Sequence, residues 1–166
     1  VGDRRNHKNL IYTIQLIKNY NETYFKNLKL YIAGSNSYRN KRLQKCIDSN
    51  LFVRELINPS DTLLDMLYKK CKSLILLSFD EGFGIPIIEA ASRSKKIIAN
   101  DIEIFREIAP RSSLLLDLKK EKQNLKLLHD YLKQELHVDS ESIFKKWSWD
   151  KSSLKLRRFL LSQLLN

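Results

Sequence analysis

Ser73-Leu74-Ile75-Leu76-Leu77-Ser78-Phe79-Asp80-Glu81-Gly82-Phe83-Gly84-Ile85-Pro86-Ile87-Ile88-Glu89-Ala90 is the most informative stretch of the chain. Ser73 to Leu77 is a short, nearly continuous apolar run, the composition of a strand buried on both faces. Gly82 and Gly84 allow a tight backbone turn, and Pro86 stands where helices prefer to begin. The stretch predicts a strand, a loop and a helix from Pro86 to Arg93. Free amides and the positive dipole end at such a helix start suit an anion such as a diphosphate. Glu81 falls in the loop, and Glu89 follows Pro86 by about one helical turn, so both carboxylates are expected on one rim. Carboxylates repel phosphate, so they must serve another part of a ligand. Sugar hydroxyls are donors that fit, each charge-assisted bond contributing about 1.5 to 3 kcal/mol. The competing reading pairs Glu89 with Arg93 at i, i+4 spacing for about half a kcal/mol, and leaves Asp80 and Glu81 as solvated loop acids.

Outward from this stretch, helical and strand-like periodicities alternate. Helices are expected over Lys8 to Tyr20, Tyr38 to Ile47, Asp61 to Lys70 (with Ser60 as its cap), Glu103 to Ile108, Glu121 to Leu136, Ser140 to Lys146 and Asp150 to Leu165. Strands are expected over Leu28 to Ala33, Leu51 to Glu55, Lys96 to Ala99 and Ser113 to Leu116. Strands alternating with helices imply crossover units, hence the α/β class: one Rossmann-like parallel sheet with helices on both faces. Ligands of such sheets bind beyond the carboxyl ends of the strands. Gly2 to Lys8, Gly34 to Ser37 and Phe79 to Ile85 then share one rim. Val1-Gly2 reads as a strand end entering a loop.

A length of 166 residues suits one domain with a substantial core, and 43% apolar against 30% charged residues argues for a globular fold. No apolar run approaches the roughly 18 residues of a membrane span, and Asp3, Arg4 and Arg5 stand where a secretory signal would be apolar. Cys46 and Cys71 are spaced unlike a metal pair and read either as a single disulfide or, the favoured reading, as two buried thiols of a reducing cytosol. The net charge is +11, and residues 1 to 50 carry ten Lys or Arg against three acids. Such a surface attracts nucleic acid, anionic lipid or a phosphorylated ligand, or simply solubilises. No aromatic-interleaved basic motif or zinc pattern supports nucleic acid. No Asp-x-Asp pair and no Ser-His-Asp order occurs. His129, His137, Trp147 and Trp149 read as structural, and His7 as a surface residue at the rim.

Glu81-Gly82-Phe83-Gly84-Ile85-Pro86-Ile87-Ile88-Glu89 resembles the paired-glutamate motif of the large retaining GT-B glycosyltransferase family often called family four. Val1-Gly2 with His7-Lys8-Asn9-Leu10 resembles its opening, and Tyr31-Ile32-Ala33-Gly34 its second strand and turn. Ile97 to Ile102 with Phe105 to Ile108, and Trp147-Ser148-Trp149-Asp150, resemble its later segments in the same order.

The resemblance implies that residues 1–166 are the C-terminal, donor-binding domain of a cytoplasmic hexosyl-type transferase, with an N-terminal acceptor domain elsewhere. Its partner would be a nucleoside-diphosphate sugar, handled without a cofactor or catalytic metal. The acceptor would be a glycan or lipid-linked glycan, with peripheral contact to an anionic membrane as a secondary property. Glu81 would hold donor-sugar hydroxyls and Glu89 the ribose; backbone amides of Gly82, Phe83, Gly84 and Ile85 would approach the diphosphate. Lys8, with Arg4 or Arg5, would neutralise phosphate charge, making Glu81 and Lys8 the catalytic pair. Gly34, Ser35 and the strand of Phe52 to Glu55 would enclose the nucleobase. Asp3 stands where many members carry Arg, which leaves the phosphate partner open between Arg4 and Arg5. A non-catalytic nucleotide-binding or regulatory relative is the alternative.

Overall fold

The computed structural model describes residues 1–35, 37, 38, 40–135 and 138–164. A 3-10 turn at Asn6–Lys8 leads into α1 (Leu10–Tyr24), followed by β1 (Leu30–Gly34), α2 (Lys41–Asp48), β2 (Val53–Ile57), α3 (Asp61–Lys70) and β3 (Ser73–Leu76). Then come α4 (Ile85–Ala91), β4 (Lys96–Asn100), α5 (Glu103–Ile108), β5 (Leu114–Leu116), α6 (Glu121–Lys133), α7 (Ser140–Lys146) and α8 (Trp149–Leu164). Local chemistry fixes several ends. Asn40 and Ser60 accept side-chain bonds from the amides of Leu43 and Leu63, which is how such residues start helices. The Asn40 cap starts α2 at Lys41, three residues after the expected Tyr38, and α4 stops at Ala91 ahead of a left-handed Ser94 at φ 55. The expected ends at Leu136 and Leu165, and His137, lie outside the described residues.

All described pairings are parallel: β1 with β2, β3 with β4, and β4 with β5. The strands form two sheets, β1-β2 and β3-β4-β5, where the sequence predicts one. The α/β class and the parallel hand hold. The division arises because β1 and β3 turn unpaired edges toward each other across an apolar gap of about 530 Å³.

Side-chain alternation along β4 builds the layers. Ile97 and Ala99 face a core with Tyr68 of α3, Ile87 and Ala90 of α4, and Phe105 and Ile108 of α5. Ile98 faces the opposite core, with Leu16, Ile17 and Tyr20 of α1 and Leu128 and Tyr131 of α6. A third cluster joins Ile14 of α1, Leu30 and Ile32 of β1, Leu43 and Ile47 of α2, and Val53 of β2. Helices thus cover both faces. No helix of the described residues is long and apolar enough to cross a membrane, and both cysteines are free thiols.

Candidate active site at the carboxyl rim

Three loops meet where the strands end. The Gly2 amide donates to the Ala33 carbonyl at 3.0 Å, and the Phe79 amide donates to the His7 carbonyl at 2.7 Å. The loop of residues 2–8 is thereby tied both to β1 and to the segment after β3. Gly2 lies so close to Gly34 that a Cβ on Gly34 would sit 1.8 Å from the Gly2 carbonyl oxygen, and Gly34 holds φ +146. Only glycine fits there.

Glu81 leaves the loop after β3 and points at Lys8. The Lys8 Nζ to Glu81 Oε1 distance is 2.7 Å, with 14% and 9% of the two side chains exposed. Ser78, fully buried, donates to the same oxygen at 2.7 Å. Asn100 Nδ2 donates to the Ser78 carbonyl at 2.8 Å, which fixes the strand end beneath the loop. Both donors meet Oε1, so Oε2 has no donor among the described residues.

Glu89, on α4, accepts from the Tyr68 hydroxyl at 2.8 Å. Burial first, then this bond to Glu89, pushes the Tyr68 phenol far above its ordinary range, so it remains a donor. Arg93 pairs with Asp65 at 2.8 Å, and its guanidinium bonds the Glu89 backbone carbonyl rather than the carboxylate. The i, i+4 ion pair of the competing reading does not form. Glu81 lies in the loop that leads from β3 into α4, and Glu89 lies on α4 itself.

Between the glutamates, Gly84 caps α4 at φ +83, where a Cβ would come within 2.9 Å of the Phe105 ring. Gly82 has no positive φ, and a Cβ there would meet nothing within 4 Å. Of the two glycines read as turn formers, the backbone requires only Gly84. Phe83 and Ile85 are exposed, and Phe83 meets Trp147 edge to face at 5.2 Å. Trp147 in turn packs against the α4–α5 core, as expected of a structural residue; the Trp149 side chain lies outside the described set.

Arg4 and Arg5 have different surroundings. Arg4 is 4% exposed, sits 2.5 Å from Glu55, and bonds Gln44 at 3.3 Å. Arg5 is exposed and held 2.9 Å from Asp3. Gln44 also donates to Glu55 at 3.2 Å, so Arg4, Gln44 and Glu55 form one polar triad. Sequence reasoning missed Ser78, Tyr68, Asn100 and Gln44. Nothing local marks Tyr68 or Gln44 as partners of distant carboxylates. Ser78 and Asn100 each follow a buried strand, a position on the rim that could have flagged them.

Parallel strands, a part-buried Lys8–Glu81 pair and a glycine-capped helix start define an α/β domain with its polar residues gathered beyond the strand ends. Comparison with known proteins is specific. The family model described as "Glycosyl transferases group 1" matches residues 1–146. The chain belongs to that family, with a Rossmann-like GT-B fold. It is 32% identical over 136 residues to the serotype-specific mannosyltransferase WbdA of Escherichia coli, covering 77% of this chain and 16% of that protein. It is 33% identical over 127 residues to the O-antigen chain mannosyltransferase RfbU of Salmonella typhimurium, covering 74% and 34%. The chain thus spans well under half the length of either relative. Among solved structures, the pneumococcal O-GlcNAc transferase GtfA, in complex with UDP and GlcNAc, superposes with TM-score 0.77 at 16% identity, over 99% of this chain and 35% of that one. An α,α-trehalose 6-phosphate synthase from Burkholderia multivorans gives 0.74 at 12% identity, over 98% and 43%. At such identities the likeness is one of fold.

Proposed function

We propose that this domain binds the nucleoside-diphosphate sugar of a retaining glycosyltransferase. The observation that carries the reading is the pairing of Lys8 with Glu81 in the loop that leads into the glycine-capped start of α4, the helix that carries Glu89. Glu81 takes hydroxyls of the donor sugar, with Lys8 and Ser78 fixing its carboxylate. Glu89, oriented by Tyr68, takes the ribose. Lys8 faces the diphosphate as the C1–O bond breaks and its electron pair leaves with the nucleotide. Arg5 joins it, since its side chain is exposed and its pair with Asp3 is open to solvent, whereas Arg4 is buried against Glu55. The Arg4–Gln44–Glu55 wall and Gly34 border the base. Mannose is the proposed sugar, because the relatives at 32% and 33% identity are named mannosyltransferases. A glycan or lipid-linked glycan is the proposed acceptor, met through a further domain, so residues 1–166 alone bind donor without transferring it. Work on an anionic cytoplasmic membrane face fits the +11 charge.

Calorimetric titration of the chain with UDP, GDP and ADP, with and without EDTA, tests the reading. One nucleotide binds preferentially, and chelator leaves its affinity unchanged, because basic side chains and helix amides offset the phosphate charge. Absence of binding by all three overturns the donor assignment; loss of binding on chelation overturns the metal-free one.

A further inference from the structure

The strand ends away from the rim carry a surface of a different kind. The bonds from Gly2 to Ala33 and from Phe79 to His7 gather the carboxyl ends of β1 and β3 on one loop, so their amino ends lie together at the opposite edge. Three segments enter strands there: residues 25–29 before β1, 49–52 before β2 and 69–72 before β3. These segments contain five lysines and no Asp or Glu. Lys26, Lys29, Lys69, Lys70 and Lys72 are all exposed, and Lys29, Lys70 and Lys72 border the same gap between the sheets. Among the described residues, Lys69 alone of the five is held in an ion pair, with Asp65 at 2.6 Å. The edge therefore presents positive charge that the fold leaves uncompensated.

Two apolar side chains project from the same edge. Phe25 is 94% exposed and Leu51 87%, the highest values for large apolar residues among those described. Neither hangs from slack chain. Phe25 caps α1 in the left-handed region at φ 49, with its amide bonded to the Asn21 carbonyl. The Asn21 side chain clasps the Leu28 amide and carbonyl at 2.9 and 3.0 Å, which fixes the loop on both sides of Lys26. Leu51 stands in a turn closed by the Val53 amide on the Asn50 carbonyl at 2.9 Å, and Arg54 bonds the Leu51 carbonyl at 2.6 Å. A left-handed cap favours glycine, and a bulky ring is uncommon there. So placed and so exposed, the Phe25 ring adds almost nothing to the core.

We infer that this edge docks on an anionic lipid bilayer, with Phe25 and Leu51 entering the headgroup boundary and the lysines meeting lipid phosphates. Apolar tips set among lysines supply both parts of an interfacial anchor, burial of apolar surface and attraction to anionic headgroups. A nucleic acid would take the lysines but give Leu51 nothing to stack on, since base stacking uses aromatic side chains. The five residues of β1 separate this edge from the rim by roughly 16 Å at 3.3 Å per residue, so a docked domain keeps its rim clear of the bilayer. This rests on the membrane contact proposed above and names its surface; it holds whatever ligand the rim takes.

The test sediments the chain with vesicles of phosphatidylglycerol and phosphatidylcholine in equal parts, and with phosphatidylcholine alone. Wild type binds the anionic vesicles, and loses that binding on phosphatidylcholine alone or in about 1 M salt, where charges are screened within about 3 Å. Two variants then locate the contact. Lys26→Gln/Lys29→Gln/Lys70→Gln/Lys72→Gln removes charge; Phe25→Asn/Leu51→Asn removes the apolar tips, and asparagine suits both a left-handed cap and a turn. Each weakens vesicle binding by about tenfold or more, while the thermal midpoint and the affinity for nucleoside diphosphate stay at wild-type values. If the asparagine pair lowers the midpoint, the lysine variant decides. No binding by wild type overturns the membrane contact and this surface together. Wild-type binding that both variants keep, as contact through α8 would give, overturns the surface alone. Loss in the lysine variant only, with single-stranded RNA bound as tightly as anionic vesicles, makes the edge a general polyanion site and overturns the lipid assignment.

Discussion

The two sheets solve different problems. In the β3-β4-β5 half, four of the five residues of β4 are buried, and helices pack on both faces. This half holds Ser78, Glu81 and Glu89 from below, through Asn100 and Tyr68. The β1-β2 half has one buried residue in β2, and its contribution to the rim is locked by a polar triad around the buried Arg4 and a glycine contact instead. Hydrogen bonds from residues anchored in a packed core position the glutamates, whereas charge pairing and close backbone approach position the basic loop. Damage to the second half should therefore be steep and local, because each of its fastenings is a single residue.

The largest effect is expected at Gly34. Its Cβ would meet backbone, which has no rotamer to escape through, so Gly34→Ala costs about 3 kcal/mol or more and lowers the thermal midpoint by roughly 10 °C. Calorimetric melting checks this, and a wild-type midpoint would dissolve the contrast between the halves. Next comes Arg4→Met, which strands Glu55 in a half-buried site for about 2 to 3 kcal/mol in denaturant titration. The double variant Arg4→Met/Glu55→Leu should recover most of that loss; failure to recover would make Arg4 a packing residue and not a charge partner. In the first half, Tyr68→Phe removes one donor while keeping the packed ring, for about 1 kcal/mol of stability.

The smallest effect belongs to Asp65. Hydrogen bonds from Lys69 and Arg93 hold its carboxyl below the ordinary aspartate value. A lowered folded-state value stabilises above the unfolded pKa, and that contribution fades as pH falls through the folded one. Asp65→Asn should lower the midpoint slightly at pH 7 and converge with wild type once the pH has fallen through the lowered folded-state value. A difference that persists in acid would mean that packing, not charge, is lost.

Much of this was legible in the sequence because the period of apolar residues reports burial. Leu74, Leu76, Ile87 and Ile97 appear in the core as their pattern predicts. Pro86 and Gly84 gave the start of α4, since their backbone preferences are local. What stayed hidden depends on contacts distant in sequence. Tyr68 reaches Glu89 across 21 positions, and Arg4 reaches Gln44 across 40, with no periodicity to betray either. The two-sheet arrangement was illegible for a similar reason. Pairing of β1 with β3, or its absence, leaves no mark on the composition of either strand.

The most direct test of the central claim gives the two glutamates different ligands to hold. Glu81→Ala and Glu89→Ala are each titrated with a nucleoside diphosphate and with the matching nucleotide sugar. Glu89→Ala should weaken both ligands by similar factors, roughly ten- to a hundredfold for about 1.5 to 3 kcal/mol. Glu81→Ala should spare the diphosphate and weaken only the sugar-bearing ligand. Wild-type affinities throughout, or tighter binding as negative charge leaves the rim, would contradict the account and make both residues surface acids.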